Sequence, residues 1–305
     1  MQTQQAPATI PIRHDYAQVG EVRLHYAECG SGDELVILLH GFPEFWYSWR
    51  HQLPVLGKRY HVVAPDMRGF NLSDKPPQKS AYQIEKLVED VLGLIKHFGK
   101  TRAAIVAHDW GAGVAWALAQ RRRDAISKLV ALQVPPPAAW RDNMTFAQLR
   151  RSWYMFFFQL PFLPERWAAA KDFQRVGDMY RKSSFRPGAF SDDDIDLYKD
   201  ALRQPGALTS SLNYYRANVL RSLFRRGVET PREGDGRVRV PTLFIYGELD
   251  MAVIPSTVKN LDRYIDAPYR ELRIPETGHW VQNEAPEEVN RAVLDFLGDE
   301  SLQTN

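Results

Sequence analysis

The stretch from Arg102 to Gln120 constrains this chain more than any other. RAAIVA, a short apolar run of strand type, leads into His108-Asp109-Trp110 and then into GAGVAWALAQ, an apolar, Ala-rich run of helical type. A strand, a one-residue turn and a helix in that order place residue 109 on a sharp bend with its side chain above a sheet, the geometry of a nucleophile elbow. Small residues at Ala107, Gly111 and Gly113 allow strand and helix to approach closely. Such elbows usually carry serine, and here the position is Asp109. Aspartate is also a common helix N-cap, which is the alternative reason to find it there.

The exchange selects a chemistry. A carboxylate with an ordinary pKa of about 3.9 is ionised at neutral pH and needs no base to attack, whereas serine does. Attack on a saturated carbon gives an alkyl ester, which water can open at the aspartate's own carbonyl carbon. Serine attacking the same carbon would leave an inert ether.

Strand-like runs occur at 22–29, 35–40, 61–65, 102–107, 128–134, 242–246 and 270–274, with helical stretches between most of them. Tyr82 to Phe98, for example, has apolar residues at 84, 87, 88, 91, 92 and 95, near a 3.6 period. This alternation predicts an α/β fold with a mostly parallel sheet covered by helices. The pattern breaks at Pro135-Pro136-Pro137, and the chain is then helical and aromatic to about Gly236. We read residues 1–137 and 237–305 as two parts of one core and 138–236 as an inserted helical lid, with the polar stretch 225–236 returning the chain to the core.

Composition bounds the partners. With 39 basic and 37 acidic residues the net charge is +2, which gives no nucleic-acid footprint, and no run approaches the length of a membrane helix. A single cysteine, Cys29, excludes an intrachain disulfide framework. With no signal-peptide pattern at the N-terminus, the expectation is a soluble cytoplasmic protein without membrane or nucleic-acid partners, a monomer or homodimer.

Opening an ester requires a base for water and a partner that fixes the base's tautomer. Asp250 follows the strand-like TLFIYGEL, and His279 lies after the next such run. The order nucleophile, acid, histidine, each beyond a strand's C-terminal end, is that of α/β-hydrolases. Of eight histidines only His279 is so placed, the alternative being an ordinary loop histidine. Glu248, two residues from Asp250, stays open as the acid. The tetrahedral oxyanion of ester opening needs backbone donors. The turn at His40-Gly41-Phe42-Pro43 suggests the N–H groups of Phe42 and of Trp110, the residue after Asp109.

The set His40-Gly41-Phe42-Pro43-Glu44, Asp66-Met67-Arg68-Gly69-Phe70 with Ser73-Asp74, His108-Asp109-Trp110-Gly111, Asp250 and Gly278-His279-Trp280 resembles the epoxide hydrolases of the α/β-hydrolase fold, over almost the whole chain. The aspartate-nucleophile branch also holds haloalkane and haloacetate dehalogenases. Some relatives carry the acid after the strand at 128–134, but Gln133-Val134-Pro135 offers none there.

The resemblance implies two lid tyrosines that hold the epoxide oxygen, matched by Tyr154 and by Tyr215, with Tyr214 as the alternative to the latter. It implies no cofactor or metal. Trp153, Phe156 and Phe158 are expected to wall an apolar substrate pocket together with Phe42 and Trp110. The dehalogenase reading fits less well, because Phe42 replaces the usual Asn or Glu, and Trp110 and Val114 replace the arginines of haloacetate enzymes. The expected reaction is hydrolysis of a small apolar epoxide to a vicinal diol. The alternatives are a haloalkane or haloacid dehalogenase and a non-catalytic ligand receptor on the same fold, with an esterase disfavoured for want of a serine at the elbow.

Overall fold

The computed structural model describes residues 10–224 and 236–302. The strands are β1 (Arg13–Val19), β2 (Val22–Cys29), β3 (Leu35–Leu39), β4 (His61–Pro65), β5 (Ala103–His108), β6 (Ile126–Leu132), β7 (Thr242–Gly247) and β8 (Tyr269–Ile274). The helices are α1 (Leu53–Leu56), α2 (Ile84–His97), α3 (Trp110–Arg121), α4 (Pro137–Asp142), α5 (Phe146–Arg151), α6 (Trp153–Phe157), α7 (Leu163–Ser183), α8 (Asp192–Arg203), α9 (Ala207–Phe224), α10 (Val281–Glu284) and α11 (Pro286–Leu297).

The strands form one sheet in the order β1-β2-β4-β3-β5-β6-β7-β8. The pairs β1/β2 and β2/β4 are antiparallel and all others parallel. Successive side chains of a strand point to opposite faces, so in β3 Leu35, Ile37 and Leu39 join one buried cluster and Val36 and Leu38 the other. The first cluster includes Leu87, Val91 and Leu94 of α2 and Ala115 and Trp116 of α3. The second is closed by Trp49, Leu53 and, from α11, Val289, Val293 and Phe296. Both faces are covered, as a parallel sheet requires.

From β3 the chain moves outward to β4, and from β5 it moves in the other direction to β6. The loops after β3 and β5 therefore lie side by side at the point where the strand order reverses, where open α/β sheets build their sites.

Between β6 and β7 the described chain is helical, α4 to α9. Helix α7 is kinked where Lys171, Asp172 and Phe173 take positive φ. The expected return stretch at 225–235 lies outside the described residues. Seven of the eight strands match the sequence reading to within two residues at either end. Strand β1 carries no sequence signal: only Ala17 and Val19 of its seven residues are buried, and no apolar alternation marks it.

Candidate active site

Asp109 sits between β5 and α3 with φ 49 and ψ −119, a backbone conformation that a residue with a side chain rarely adopts. Its side chain makes no cap bond to α3, so the N-cap explanation for an aspartate here fails. The close approach demands glycine twice. A Cβ on Gly111 would collide with the carbonyls of Leu39 and His40, and one on Gly41 with the Asp109 side chain itself. Gly113, by contrast, has room for a side chain.

The two carboxylate oxygens of Asp109 have different surroundings. Oδ1 accepts the Phe42 backbone N–H at 2.8 Å. Oδ2 lies 3.7 Å from His279 Nε2, an ion-pair separation beyond hydrogen-bond length. Trp110 is the first residue of α3, so its N–H has no intrahelical acceptor. Burial pushes the Asp109 carboxyl up, but His279 and His108, with the Phe42 N–H, outweigh it and hold the group below its ordinary range.

His279 Nδ1 is 2.8 Å from Asp250 Oδ2. Asp250 is fixed in turn, its Oδ1 accepting the N–H groups of Ala252 at 2.7 Å and Val253 at 2.9 Å. Glu248 is exposed, whereas Asp250 is buried and is the acid in contact with His279. Burial alone would lower the His279 imidazole. Asp250 and Asp109 reverse this and raise it well above 6.5.

Above Asp109 lies an aromatic cage. Tyr215 packs edge-on against Phe42 at 5.5 Å, Trp110 at 5.1 Å and Phe158 at 5.0 Å, and its ring centre is 6.0 Å from that of Tyr154. Burial pushes both phenols up, and the charge of Asp109 pushes them further. The Tyr214 ring meets Trp110 edge-on at 5.7 Å and packs on Phe70, but its hydroxyl is engaged, donating to the Arg68 carbonyl at 2.8 Å. The structure thus gathers Asp109, His279, Asp250, Phe42, Trp110, Tyr154, Tyr215 and Phe158 around one point.

The chain matches the model of the α/β hydrolase fold over residues 34–286. It is 37% identical to Epoxide hydrolase 3 of Xenopus tropicalis over 301 residues, covering 95% of this chain and 79% of that one. It is 36% identical to AB hydrolase superfamily protein YfhM of Bacillus subtilis over 290 residues, 94% of this chain and 98% of that one. The crystal structure of Bacillus megaterium epoxide hydrolase in complex with an inhibitor superposes with a TM-score of 0.83 at 32% identity, covering 93% of this chain and 100% of that chain. The chain belongs to the epoxide hydrolase family of the α/β-hydrolase fold.

Two residues expected in the pocket of this family member are placed otherwise. Trp153 and Phe156 are exposed, and the Trp153 ring lies tilted against Phe157 rather than on any ring of the cage. Helical spacing is the reason: positions 154 and 158 share the face toward Asp109, while 153 and 156 fall on another.

The epoxide hydrolase fold also holds three polar residues to which sequence reasoning gave no task. Glu44, fully buried, meets His108 Nδ1 at 2.7 Å and accepts the Gly41 N–H at 2.9 Å. His108 Nε2 lies 2.8 Å from the His279 carbonyl, so one chain of contacts ties the turn bearing Phe42 to the loop bearing His279. Both residues belong to motifs that the sequence displays, Glu44 after His40-Gly41-Phe42-Pro43 and His108 before Asp109. Gln133, at φ 66, is the third. Its amide donates to the Gly278 carbonyl and accepts the Gly247 N–H, joining the histidine loop to the end of β7.

Proposed function

We propose that this protein is an epoxide hydrolase that works through a covalent ester on Asp109. Oδ2 attacks a ring carbon, the carbon–oxygen bond of the epoxide breaks, and the ring oxygen takes a proton from Tyr154 or Tyr215. Raised phenol pKa values keep these groups protonated until charge develops on that oxygen. His279, oriented by Asp250, then takes a proton from water, which adds to the Asp109 carbonyl carbon. The resulting oxyanion is Oδ1, already facing the Phe42 N–H, with Trp110 as the second donor. The ester bond to Oδ2 breaks, the departing oxygen takes the proton held by His279, and the second proton of the added water returns to the tyrosinate; the vicinal diol leaves with Oδ2, and Asp109 is again a carboxylate.

The observation that carries the reading is the unequal environment of the two Asp109 oxygens, one on a backbone donor and one toward His279. Residues 138–236 act as a lid that supplies the two tyrosines, and the apolar cage favours apolar epoxides over charged ones. The relatives named epoxide hydrolase support the substrate class. An epoxide leaves as a strongly basic alkoxide and needs an acid, which the paired phenols provide, whereas a halide needs none.

His279→Gln should let the alkyl ester accumulate, seen as an added mass on the peptide bearing Asp109 after exposure to an aryl epoxide. No adduct in that variant would end the two-step scheme. A panel of epoxides and haloalkanes scored for diol and halide decides the leaving group, and halide without diol would favour a dehalogenase.

A further inference from the structure

One face of the helical segment is apolar and open to solvent. Phe146, Leu149, Trp153 and Phe156 follow one another at spacings of three and four, and all are exposed, Phe146 by 81%. Ser152, at φ −80 and ψ 11, joins α5 to α6 without breaking that period. The opposite side of the same stretch is engaged: Gln148 is buried and bonds to the Ala252 carbonyl and the Ile254 N–H, and Tyr154 and Phe158 pack on each other and on Tyr215. The open face is therefore the back of the wall that shapes the site.

It continues over the next turn. Leu160, Phe162 and Leu163 are exposed, and Phe162 is 77% exposed at φ 61, a left-handed conformation disfavoured for an aromatic residue. The turn holds this ring out in water instead of folding it inward. Trp153, Phe157 and Trp167 touch in sequence at 5.8 and 5.7 Å, which ties the α6 end of the surface to α7.

Charge says what covers it. Between residues 144 and 176 the chain has five cations, Arg150, Arg151, Arg166, Lys171 and Arg175, and two carboxylates, Glu165 and Asp172. Both carboxylates are neutralised from outside the stretch, Glu165 by Arg216 and Asp172 by Arg203. The Arg175 guanidinium lies 5.3 Å from the Trp167 ring centre. Exposed Trp, Phe and Leu on a stretch whose Arg and Lys no carboxylate of the stretch pairs is the composition of a surface that rests in a lipid headgroup region. A second copy docking by a two-fold axis through this face would bring the net positive charge of the stretch against itself.

We propose that this face docks peripherally on an anionic lipid surface, with Phe146 and Phe162 entering the interface and the arginines at the headgroups. No described helix is long and apolar enough to cross a membrane, and docking of this kind requires none. Its use, delivery of apolar epoxides from lipid to a site on the far side of the same helices, rests on the function proposed above; the docking itself does not.

The test is co-sedimentation of the full chain with vesicles of phosphatidylcholine, with and without phosphatidylserine. Binding to the anionic vesicles should be at least about tenfold tighter and should weaken with salt. The pair Phe146→Ser with Phe162→Ser should lower it about tenfold, and Arg150→Gln with Arg166→Gln should remove the preference for anionic lipid, while thermal midpoint and turnover of a dissolved epoxide stay as in the parent. Equal or absent binding to both vesicles would overturn the proposal. So would a dimer in light scattering that the Phe146→Ser, Phe162→Ser variant converts to monomer, because a second copy would then own the face. Lipid binding is read without turnover, so it stands or falls apart from the epoxide reading.

Discussion

The backbone N–H of Phe42 donates to Asp109 Oδ1 at 2.8 Å, bridging the loop after β3 and the turn after β5. The bond exists because the sheet reverses its strand order between these two strands and because Gly41 leaves space for the Asp109 side chain. In the proposed mechanism it sets which oxygen attacks and which is stabilised as an oxyanion. Gly41→Ala should therefore lower kcat by about a hundredfold or more, the loss typical of an oxyanion donor. Circular dichroism should show the fold retained, and a variant of unchanged kcat would argue against this role of the Phe42 amide.

The two tyrosines of the cage and their neighbour should separate cleanly. Tyr154→Phe and Tyr215→Phe each remove a proton donor and should slow ester formation by about a hundredfold in stopped-flow measurements. Tyr214→Phe removes only the bond to the Arg68 carbonyl and should cost about 1 kcal/mol of stability with little change in rate. The reverse pattern would mean that Tyr214 holds the substrate.

His279 offers a test of charge coupling. Its pKa is lowered by burial and raised by Asp250 and Asp109, the raising effects winning. In the proposed mechanism, forming the ester removes the Asp109 charge, so the imidazole pKa falls and the ring becomes neutral, and able to accept a proton, at a lower pH than in the free enzyme. Ester opening should thus speed up as pH rises through that lowered value. Asp109→Asn imitates the uncharged ester, and the His279 titration followed by NMR should move to lower pH than in the parent. A shift to higher pH would contradict the coupling.

Much of this was legible locally. The run from Arg102 to Gln120 declares strand, turn and helix by its composition, and the positions of Asp250 and His279 follow from the strands before them. Contacts across the fold were not legible. Glu44 and His108 are 64 residues apart in the chain, and only the strand order makes them partners. Gln133 reads as the end of a strand, whereas its positive φ turns the amide toward Gly247 and Gly278. The aromatic character of Trp153 and Phe156 suits a pocket wall, but the helical period turns them to the exposed face.

Glu44 should govern stability in acid. Burial raises its pKa, but His108, with bonds from Ser48 and Gly41, overrides this and holds it at about 2 against an ordinary 4.5. A depressed carboxyl stabilises the fold fully above its unfolded value and loses that contribution as pH falls toward the folded one. The shift corresponds to on the order of 3 kcal/mol. The stability gap between the parent and Glu44→Gln, from urea unfolding, should therefore shrink by about half between neutrality and a pH of about 3. A gap independent of pH would show that Glu44 is not held ionised.

Gln133 joins the β7 end to the loop of His279 and touches nothing of Asp109 in its described bonds. Gln133→Leu should leave ester formation unchanged and slow ester opening by about tenfold, the effect of a small misplacement of the base. Pre-steady-state measurements should then show a larger ester population than in the parent. Equal slowing of both steps would indicate a general loss of structure.

The most direct test of the covalent account is one turnover, with enzyme in excess over epoxide, in heavy-oxygen water. The account predicts a diol without solvent oxygen and the label in the peptide that carries Asp109. Solvent label in the diol from that first turnover would show water attacking the epoxide directly and would contradict it.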